Sequence, residues 1–304
     1  MSSYDSKSKF KEFSQNSHYL RVDEKHPLEL RIGLNGKGQK TLSFIGDFKR
    51  VPVKGTKSIE VRYFSVFGKI SISFSLIDDE YIDLFYLFCN DIIDSSRDSI
   101  QANGFTYVLN RYEKWKGFSN TSRKFLSENE IKGLLGELVF LKDVIFDKYG
   151  VSNGIIGWTG PEPTKKDFSF DNTWFETKSV TKDIVTISSI EQLDSDVVGY
   201  IILYYFEKMS PEATGYNLNQ VVDEIMSRIV LDQDRANFIM KLVQIGYYRE
   251  EYYNDFTYRL SNCKYYEVNE NFPKINRIAI DAAISNARYD LIINMLESFR
   301  REKI

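Results

Sequence analysis

Two carboxylates and one ammonium group lie close together along the chain, at Asp167, Glu176 and Lys178. Hydrolysis of a phosphodiester needs a nucleophilic water, a means of spreading negative charge in the transition state, and help for the departing oxygen. A hard divalent cation meets all three needs, and Mg²⁺ prefers oxygen ligands while keeping several of its waters. These residue types therefore predict metal-assisted chemistry on a phosphate ester.

The segments around these residues have the composition of a short β-hairpin. The runs DFSF and TWFETKSV are rich in aromatic and β-branched residues, and Asp171 and Asn172 between them suit a two-residue turn. Asp167 begins the first run and Glu176 lies near the end of the second. The hairpin is therefore expected to bring both carboxylates toward the same end of adjacent strands.

Alternation along the second strand suggests a role for each residue of Glu176-Thr177-Lys178. Successive side chains on a strand point to opposite faces, so Glu176 and Lys178 share a face while Thr177 points to the other. This leaves the backbone carbonyl of Thr177 available near a metal. Lys178 is expected to orient or deprotonate the attacking water and to neutralise developing charge.

A helix that precedes the hairpin presents a third carboxylate. Ser127 and Glu130 form a capping-box pattern, and apolar residues at helical spacing follow to about residue 149. Glu137 comes after two glycines, Gly133 and Gly136, which would cost helix stability unless close packing required them. We therefore expect Glu137 to act as a metal ligand or to position water.

Five short motifs follow one another through this region. They are Gly133-Leu134-Leu135-Gly136-Glu137-Leu138, Trp158-Thr159-Gly160-Pro161, Asp167-Phe168, Glu176-Thr177-Lys178 and Ile187-Ser188-Ser189-Ile190-Glu191-Gln192-Leu193. In this order they resemble the PD-(D/E)XK nuclease superfamily, and within it the PD-(D/E)XK motif proteins of restriction-type loci. The resemblance covers most of the chain and is least diagnostic in the N-terminal part. The Pro-Asp dipeptide of the superfamily is Lys166-Asp167 here, a change that removes no metal ligand.

The resemblance implies an α/β fold with a restriction-endonuclease-like core, in which helices flank a central mixed sheet. It implies a catalytic set of Glu137, Asp167, Glu176 and Lys178. The metal would be held by the three carboxylates and the backbone carbonyl of Thr177. The expected cofactor is Mg²⁺, which Mn²⁺ could replace.

The same resemblance implies a Mg²⁺-dependent endonuclease acting on double-stranded DNA, of the type II-like restriction class. Such a protein would be the cleavage component of a restriction-modification or anti-phage defence system. Its partners would include a DNA methyltransferase and other defence subunits, and a homodimer would explain double-strand cleavage. Two alternatives stay open: a catalytically silent DNA-binding or scaffolding subunit, and a nuclease acting on RNA or repair intermediates.

Further polar residues lie beside these motifs. Ser188 and Gln192 follow the core strands and could face the active site or the DNA backbone, although serines there could equally cap a helix. Lys165, Lys166 and Lys182 surround the hairpin and could contact DNA phosphates, although a cluster of lysines is often merely solvated.

Three regions differ in their sequence patterns. Residues 1–115 are rich in β-type runs between about 28 and 77 and are interpreted as an N-terminal domain with a DNA-recognition or assembly role. Residues 116–210 hold the nuclease core. Residues 211–304 show two helical patterns, a β-type stretch and a final helix, and this mainly helical part could complete the fold.

Composition restricts the remaining possibilities. With two histidines and two cysteines in 304 residues, a zinc site or a disulfide framework has little material. Trp158 is expected in the core rather than as a platform for stacking bases. The absence of an N-terminal apolar segment and of long apolar runs predicts a cytoplasmic protein without a membrane span. The net charge of -3 does not argue against DNA, because lysines and arginines can cluster on one face.

Overall fold

The computed structural model describes residues 4–14, 19–97, 103–116, 125–162, 166–281 and 283–304. Lys165, predicted as a phosphate contact, lies outside the described residues. The chain divides into two compact units. We name them the N-terminal unit, Met1–Arg123 with Leu231–Met240, and the C-terminal unit, Lys124–Val230 with Lys241–Ile304.

The N-terminal unit contains a five-stranded antiparallel sheet. Its strands are β1 (Leu20–Arg21), β2 (Glu29–Leu34), β3 (Lys40–Gly46), β4 (Ile59–Val66) and β5 (Lys69–Leu76), in the order β1-β2-β3-β5-β4. Its helices include α1 (Ser6–Lys11), α2 (Ile82–Ser95) and α3 (Gly104–Lys116). Apolar and small polar side chains alternate along the inner strands, and on the apolar face Phe74 packs against Phe88 of α2 and Tyr112 of α3.

The C-terminal unit is built around a mixed sheet, as expected from the sequence. Its strands are β6 (Phe168–Phe170), β7 (Thr173–Ser179), β9 (Gly199–Lys208), β10 (Tyr258–Val268) and β12 (Arg300–Arg301), in the order β12-β10-β9-β7-β6. β7 and β9 run parallel, whereas the other neighbours are antiparallel. β8 (Ile184–Ile187) and β11 (Tyr289–Ile292) form a separate two-stranded sheet.

The helix predicted from the capping box is present. Ser127 and Glu130 make both reciprocal hydrogen bonds of the box, and α4 (Glu128–Phe140) follows. The helical path continues to residue 149 as predicted, but through a π-helical segment, Leu141–Ile145, before α5 (Phe146–Tyr149). Three more helices follow: α6 (Val151–Gly157), α7 (Leu218–Arg228) and α8 (Asp232–Ile245), whose residues divide between the two units.

The end of the chain differs from the sequence-based expectation. A final helix was predicted, but residues 289–301 form β11, a 3-10 segment at Ile293–Phe299, and β12. Ile293 and Leu296 are buried in the core. Their three-residue spacing, which suggested a helix, places both on one side of the 3-10 segment. Because β10 and β12 join the central sheet, residues beyond 211 help to build it. The division into domains 1–115, 116–210 and 211–304 stays a prediction.

No helix in the described ranges is both long and apolar enough to cross a membrane.

Glycines of the C-terminal unit differ in how closely they are packed. A Cβ on Gly136 would lie 3.3 Å from the ring of Tyr204, so the close packing predicted at this position is confirmed. The same prediction is wrong for Gly133, where a Cβ would meet nothing within 4 Å. Gly199 begins β9 beneath Trp174, and a Cβ there would overlap the indole ring. The indole is fixed by a 3.1 Å hydrogen bond from its Nε1 to the carbonyl of Val197.

We expect Gly199→Ala and Gly133→Ala to change stability in opposite directions. The first inserts a methyl group into occupied space and should lower the free energy of unfolding by roughly 1–3 kcal/mol. The second removes a flexible residue from an open helix position and should raise it by roughly 0.5–1 kcal/mol. Urea unfolding followed by circular dichroism measures both changes. A Gly199→Ala protein as stable as the parent would contradict the packing described here.

Candidate active site

The β6–β7 hairpin places the aspartate that the sequence singled out. Phe168 pairs with Phe175, so Asp167 lies opposite Glu176 at the open end of the hairpin. One oxygen of the Asp167 carboxylate accepts hydrogen bonds from the Thr177 amide at 2.7 Å and from the Thr177 hydroxyl at 2.8 Å. The backbone carbonyl of Asp167 accepts from the amides of Thr159 and Gly160. Asp167 is therefore fixed both through its side chain and through its main chain.

Thr177 thus has a role that the sequence did not predict. Its amide and hydroxyl hold Asp167, and its backbone pairs with Ile202 of β9 in the parallel ladder. The metal contact expected of its carbonyl stays a prediction.

The two oxygens of the Glu176 carboxylate have different surroundings. Oε1 accepts from Lys178 Nζ at 2.8 Å and from Gln192 Nε2 at 2.9 Å. Oε2 has no hydrogen-bond partner, and water cannot easily supply one because the residue is only 2% exposed. Burial and the negative charge of Asp167 raise the pKa of Glu176 to about 8. As predicted, Glu176 and Lys178 lie on one face of β7 and meet directly.

Glu137 reaches this region from α4. Its Oε2 accepts a 2.7 Å hydrogen bond from the indole Nε1 of Trp158, and a Cβ on Gly160 would lie 2.5 Å from the same oxygen. Burial raises the pKa of the Glu137 carboxyl well above its usual range, and the negative charge of Asp167 raises it further. The glycine of the Trp158-Thr159-Gly160 motif therefore makes room for the carboxylate that the tryptophan binds.

Trp158 is a core residue, as predicted, but it also has a polar function that sequence reasoning missed. The side chain is fully buried, and its only donor points at Glu137. The main chain at Trp158 is held by Lys241, whose ammonium donates to the carbonyls of Trp158 and Ile156 and pairs with Glu162 at 3.0 Å. The tryptophan-glycine spacing just before Asp167 was the signal that could have revealed this contact.

Gln192 meets the Glu176 carboxylate, whereas Ser188 contributes only its backbone. The Gln192 amide donates to Glu176 Oε1, and its own oxygen accepts from the Ser188 amide at 2.7 Å. Gln192 is the last residue of the 3-10 turn Ile190–Gln192, and Ser188 precedes its N-cap Ser189, which makes no side-chain capping bond. The capping alternative is therefore wrong for Ser189, and Gln192 is the polar group of this segment that reaches the site.

Lys166 contacts the main chain of the segment that carries Gln192. Its ammonium donates to the carbonyls of Glu191 at 2.8 Å, Gln192 at 2.6 Å and Asp194 at 3.3 Å, and it lies 3.8 Å from the centre of the Trp174 ring. Burial lowers its pKa to about 8. These contacts show that the ammonium holds the turn that carries Gln192, and the expected phosphate contact stays a prediction. Lys182 is exposed, and its phosphate contact stays a prediction.

The residues fit a hard cation, although the ligand set is not fully assembled. Within the described ranges, no three histidine, cysteine, aspartate or glutamate side chains form a ready-made metal group. A cation held by Glu137, Asp167 and Glu176 together would thus need side-chain adjustment. The unpartnered Oε2 of Glu176, close to a second buried carboxylate, is nevertheless the kind of donor that a hydrated Mg²⁺ satisfies with one or two carboxylates and its own waters.

The chain was compared with known proteins. A family model described as "Putative PD-(D/E)XK family member (DUF4420)" matches residues 6–294. No curated protein and no solved structure matches the chain. PD-(D/E)XK proteins are generally nucleases that use divalent metals, which suggests nuclease-type activity here. The match spans both units and includes every residue of the site described above, and the chain therefore belongs to this PD-(D/E)XK family.

Proposed function

We propose that this protein is a divalent-metal-dependent endonuclease that hydrolyses phosphodiester bonds in double-stranded DNA. The observation that carries the proposal is the Glu176 carboxylate, whose Oε1 is held by Lys178 and Gln192 while Oε2 is buried without a partner. A carboxylate in this state needs a positive charge or a proton at Oε2. In a PD-(D/E)XK family, a metal ion is the group expected there.

Mg²⁺, or Mn²⁺ in its place, would be held by Glu176 Oε2 and Asp167, with Glu137 and the Thr177 carbonyl completing the set. When bound, the ion would lower the pKa of a coordinated water and neutralise charge on the phosphate. Thr177 fixes the orientation of Asp167, and Trp158 fixes that of Glu137. Both carboxylates are thus oriented in advance, which reduces the reorganisation needed during reaction.

Lys178 fits charge stabilisation better than general-base catalysis. Burial alone would lower its pKa, but the negative charges of Glu176 and Asp167 outweigh burial and raise it. A lysine with a raised pKa keeps its proton at neutral pH. Its ammonium would therefore orient the attacking water and offset charge on the phosphate, and the proton of the water would pass to another acceptor.

The resemblance described above supports a biological setting for this chemistry. We propose that the protein is the cleavage component of a restriction-modification or anti-phage defence system, acting as a homodimer beside a DNA methyltransferase. The scaffold alternative is disfavoured because the acidic and lysine set is complete, Glu176 pairs directly with Lys178, and Gln192 and Thr177 hold the carboxylates of Glu176 and Asp167.

We expect the purified full-length protein to nick or cut supercoiled plasmid with Mg²⁺ or Mn²⁺ and to be inactive in EDTA. Asp167→Asn and Lys178→Met should each slow cleavage by roughly 100-fold or more, because each removes charge from the reacting centre. Asp171→Asn is the matched control, because Asp171 is an exposed aspartate in the turn of the same hairpin. Agarose-gel time courses give the rates.

The substrates should include methylated and unmethylated plasmid, structured RNA and branched DNA. Metal-dependent cleavage of RNA or branched DNA alone would reject duplex DNA as the substrate. Plasmid binding without cleavage in any methylation state would reject the nuclease proposal in favour of a scaffold.

The raised pKa of Glu176 predicts a pH-dependent stability. Because the pKa is about 8 in the folded protein and near 4.5 otherwise, the folded state binds a proton that the unfolded chain releases between these values. The metal-free protein should therefore lose stability as pH rises through this window, and Glu176→Gln should lose less. Differential scanning fluorimetry in EDTA measures both melting temperatures.

A metal ion competes with that proton, so its effect should have the opposite pH dependence. Added Mg²⁺ or Mn²⁺ should raise the melting temperature little at about pH 6 and more at about pH 9. An equal metal-induced shift at both values, or an unchanged shift in Glu176→Gln, would show that Glu176 is not a ligand.

Lys166 and Gln192 should act as one unit on the rate of cleavage. Gln192→Leu removes a hydrogen bond to Glu176 and should slow the reaction on the order of 10–100-fold. If Lys166 acts by holding the Gln192 turn, Lys166→Met should be equally slow, and the double variant should be no slower than either. Lys208→Met, on β9, is an exposed-lysine control. Additive effects in the double variant would contradict this positioning role.

A further inference from the structure

The β4–β5 hairpin of the N-terminal unit ends in a two-residue tip, Phe67 and Gly68. Val66 pairs with Lys69, and both tip residues have left-handed backbone, with φ of 49° at Phe67 and 80° at Gly68. Two successive positive φ values define a type I′ turn, in which the first position favours asparagine, aspartate or glycine. A phenylalanine is therefore an unusual occupant of this position.

Phe67 is unusual for a second reason, because its side chain is 99% exposed. Among the described residues, it is the one non-glycine residue with a positive φ. A bulky side chain in left-handed backbone is strained, and an exposed ring adds nothing to the core. The fold therefore gains no packing from this side chain, and backbone strain of this kind is often found at functional sites.

The sequence around the hairpin is strongly basic, although the whole chain has a net charge of -3. We name residues 47–70, from the loop before β4 to the first two residues of β5, the basic hairpin segment. It contains six lysines and arginines, Lys49, Arg50, Lys54, Lys57, Arg62 and Lys69, all of them exposed, against two acidic residues, Asp47 and Glu60. This local excess of positive charge is the electrostatic signature of a nucleic-acid contact.

The loop and the strand of this segment belong to one surface. Arg50 donates to the hydroxyl of Ser65 at 3.1 Å and lies over the ring of Tyr63, whose own hydroxyl donates to the carbonyl of Val51. Arg50 and the adjoining main chain of the loop are therefore held beside the strand that leads to Phe67.

Exposed apolar surface continues from the tip along the hairpin. Phe64 is 48% exposed and, with Val66, lines an open cavity of about 290 Å³ on the outer face of the sheet. Tyr19 and Arg31 form other parts of its wall. The hairpin therefore offers exposed rings and positive charges together.

A purely structural explanation covers only part of these observations. β4 is an edge strand, and charged residues on an edge strand, here Glu60 and Arg62, hinder its pairing with another chain. This accounts for charge along β4. It does not account for an exposed phenylalanine in strained backbone at the tip, which would itself favour unwanted association.

We infer that the basic hairpin segment contacts double-stranded DNA, with Phe67 packing against or between base pairs and the lysines and arginines contacting phosphates. Apolar side chains inserted at base steps and cationic side chains on the backbone are a recurring combination in DNA-binding proteins. The choice of duplex DNA as the partner rests on the proposed function. The hairpin would hold the substrate, while the chemistry belongs to the C-terminal unit.

Binding is measured in the full-length Asp167→Asn protein, so that cleavage does not interfere, by fluorescence anisotropy with a labelled DNA duplex. Adding Phe67→Asn should weaken binding on the order of tenfold, because the ring that stacks on a base is removed. The same change should leave the melting temperature equal or higher, because asparagine tolerates left-handed backbone. Ile278→Asn is the matched control, because Ile278 is a fully exposed apolar residue of the C-terminal unit. This variant should bind DNA like the parent.

A second variant tests the charges. Lys49→Ala with Lys54→Ala should weaken binding, and the slope of its salt dependence should fall by about one for each DNA phosphate that is no longer neutralised. Unchanged affinity and salt dependence in both hairpin variants would overturn the inference, as would a parent protein that binds no duplex.

These outcomes separate the inference from the proposed function. If the wild-type protein cleaves plasmid and both hairpin variants bind as tightly as their Asp167→Asn parent, the inference is overturned and the nuclease stands. If Phe67→Asn weakens binding but the wild-type protein never cleaves with any divalent metal, the inference is supported and the nuclease proposal falls.

Discussion

The site depends on the hydrogen bonding of the Glu176 carboxylate, in which one oxygen accepts two hydrogen bonds and the other accepts none. Lys178 and Gln192 both donate to Oε1, and they come from different elements, one from the same strand and the other from a 3-10 turn after β8. Two donors on one oxygen fix the rotation of the carboxylate and leave the other oxygen facing inward without a partner. Burying such an oxygen is unfavourable unless a proton or a cation joins it. The strands, the turn and the neighbouring carboxylates are arranged around that requirement.

Much of this arrangement follows from local sequence. The turn at 171–172 fixes the register of the hairpin, and strand alternation then places Glu176 and Lys178 on one face. The capping box at Ser127 fixes where α4 begins and hence where Glu137 lies along it. These are short-range effects, in which each residue acts on neighbours a few positions away. For that reason the hairpin and the helix could be predicted without any knowledge of the fold.

The parts that could not be predicted depend on contacts between distant segments. Nothing local to Lys166 reveals that three carbonyls from residues 191–194 surround its ammonium, since an exposed and a buried lysine look alike in sequence. The same holds for the indole of Trp158, which finds its acceptor on α4. At the C-terminus, apolar spacing that suits a helix was satisfied by a 3-10 segment, because the flanking residues pair with β8 and β10. Tertiary pairing overrode the local preference there.

The strand order of the central sheet has a consequence for when the site comes into existence. β9 is bonded on one side to β7, which carries Glu176 and Lys178, and on the other to β10, which begins only at Tyr258. Pairings between segments so far apart in sequence form late, because the intervening chain must first be closed into a loop. On the ribosome, β7 with Glu176 and Lys178 emerges well before β10, which pairs with the other side of β9. A nascent chain would therefore carry Glu176 and Lys178 before their sheet is complete, and the site would be assembled only after β10 has emerged.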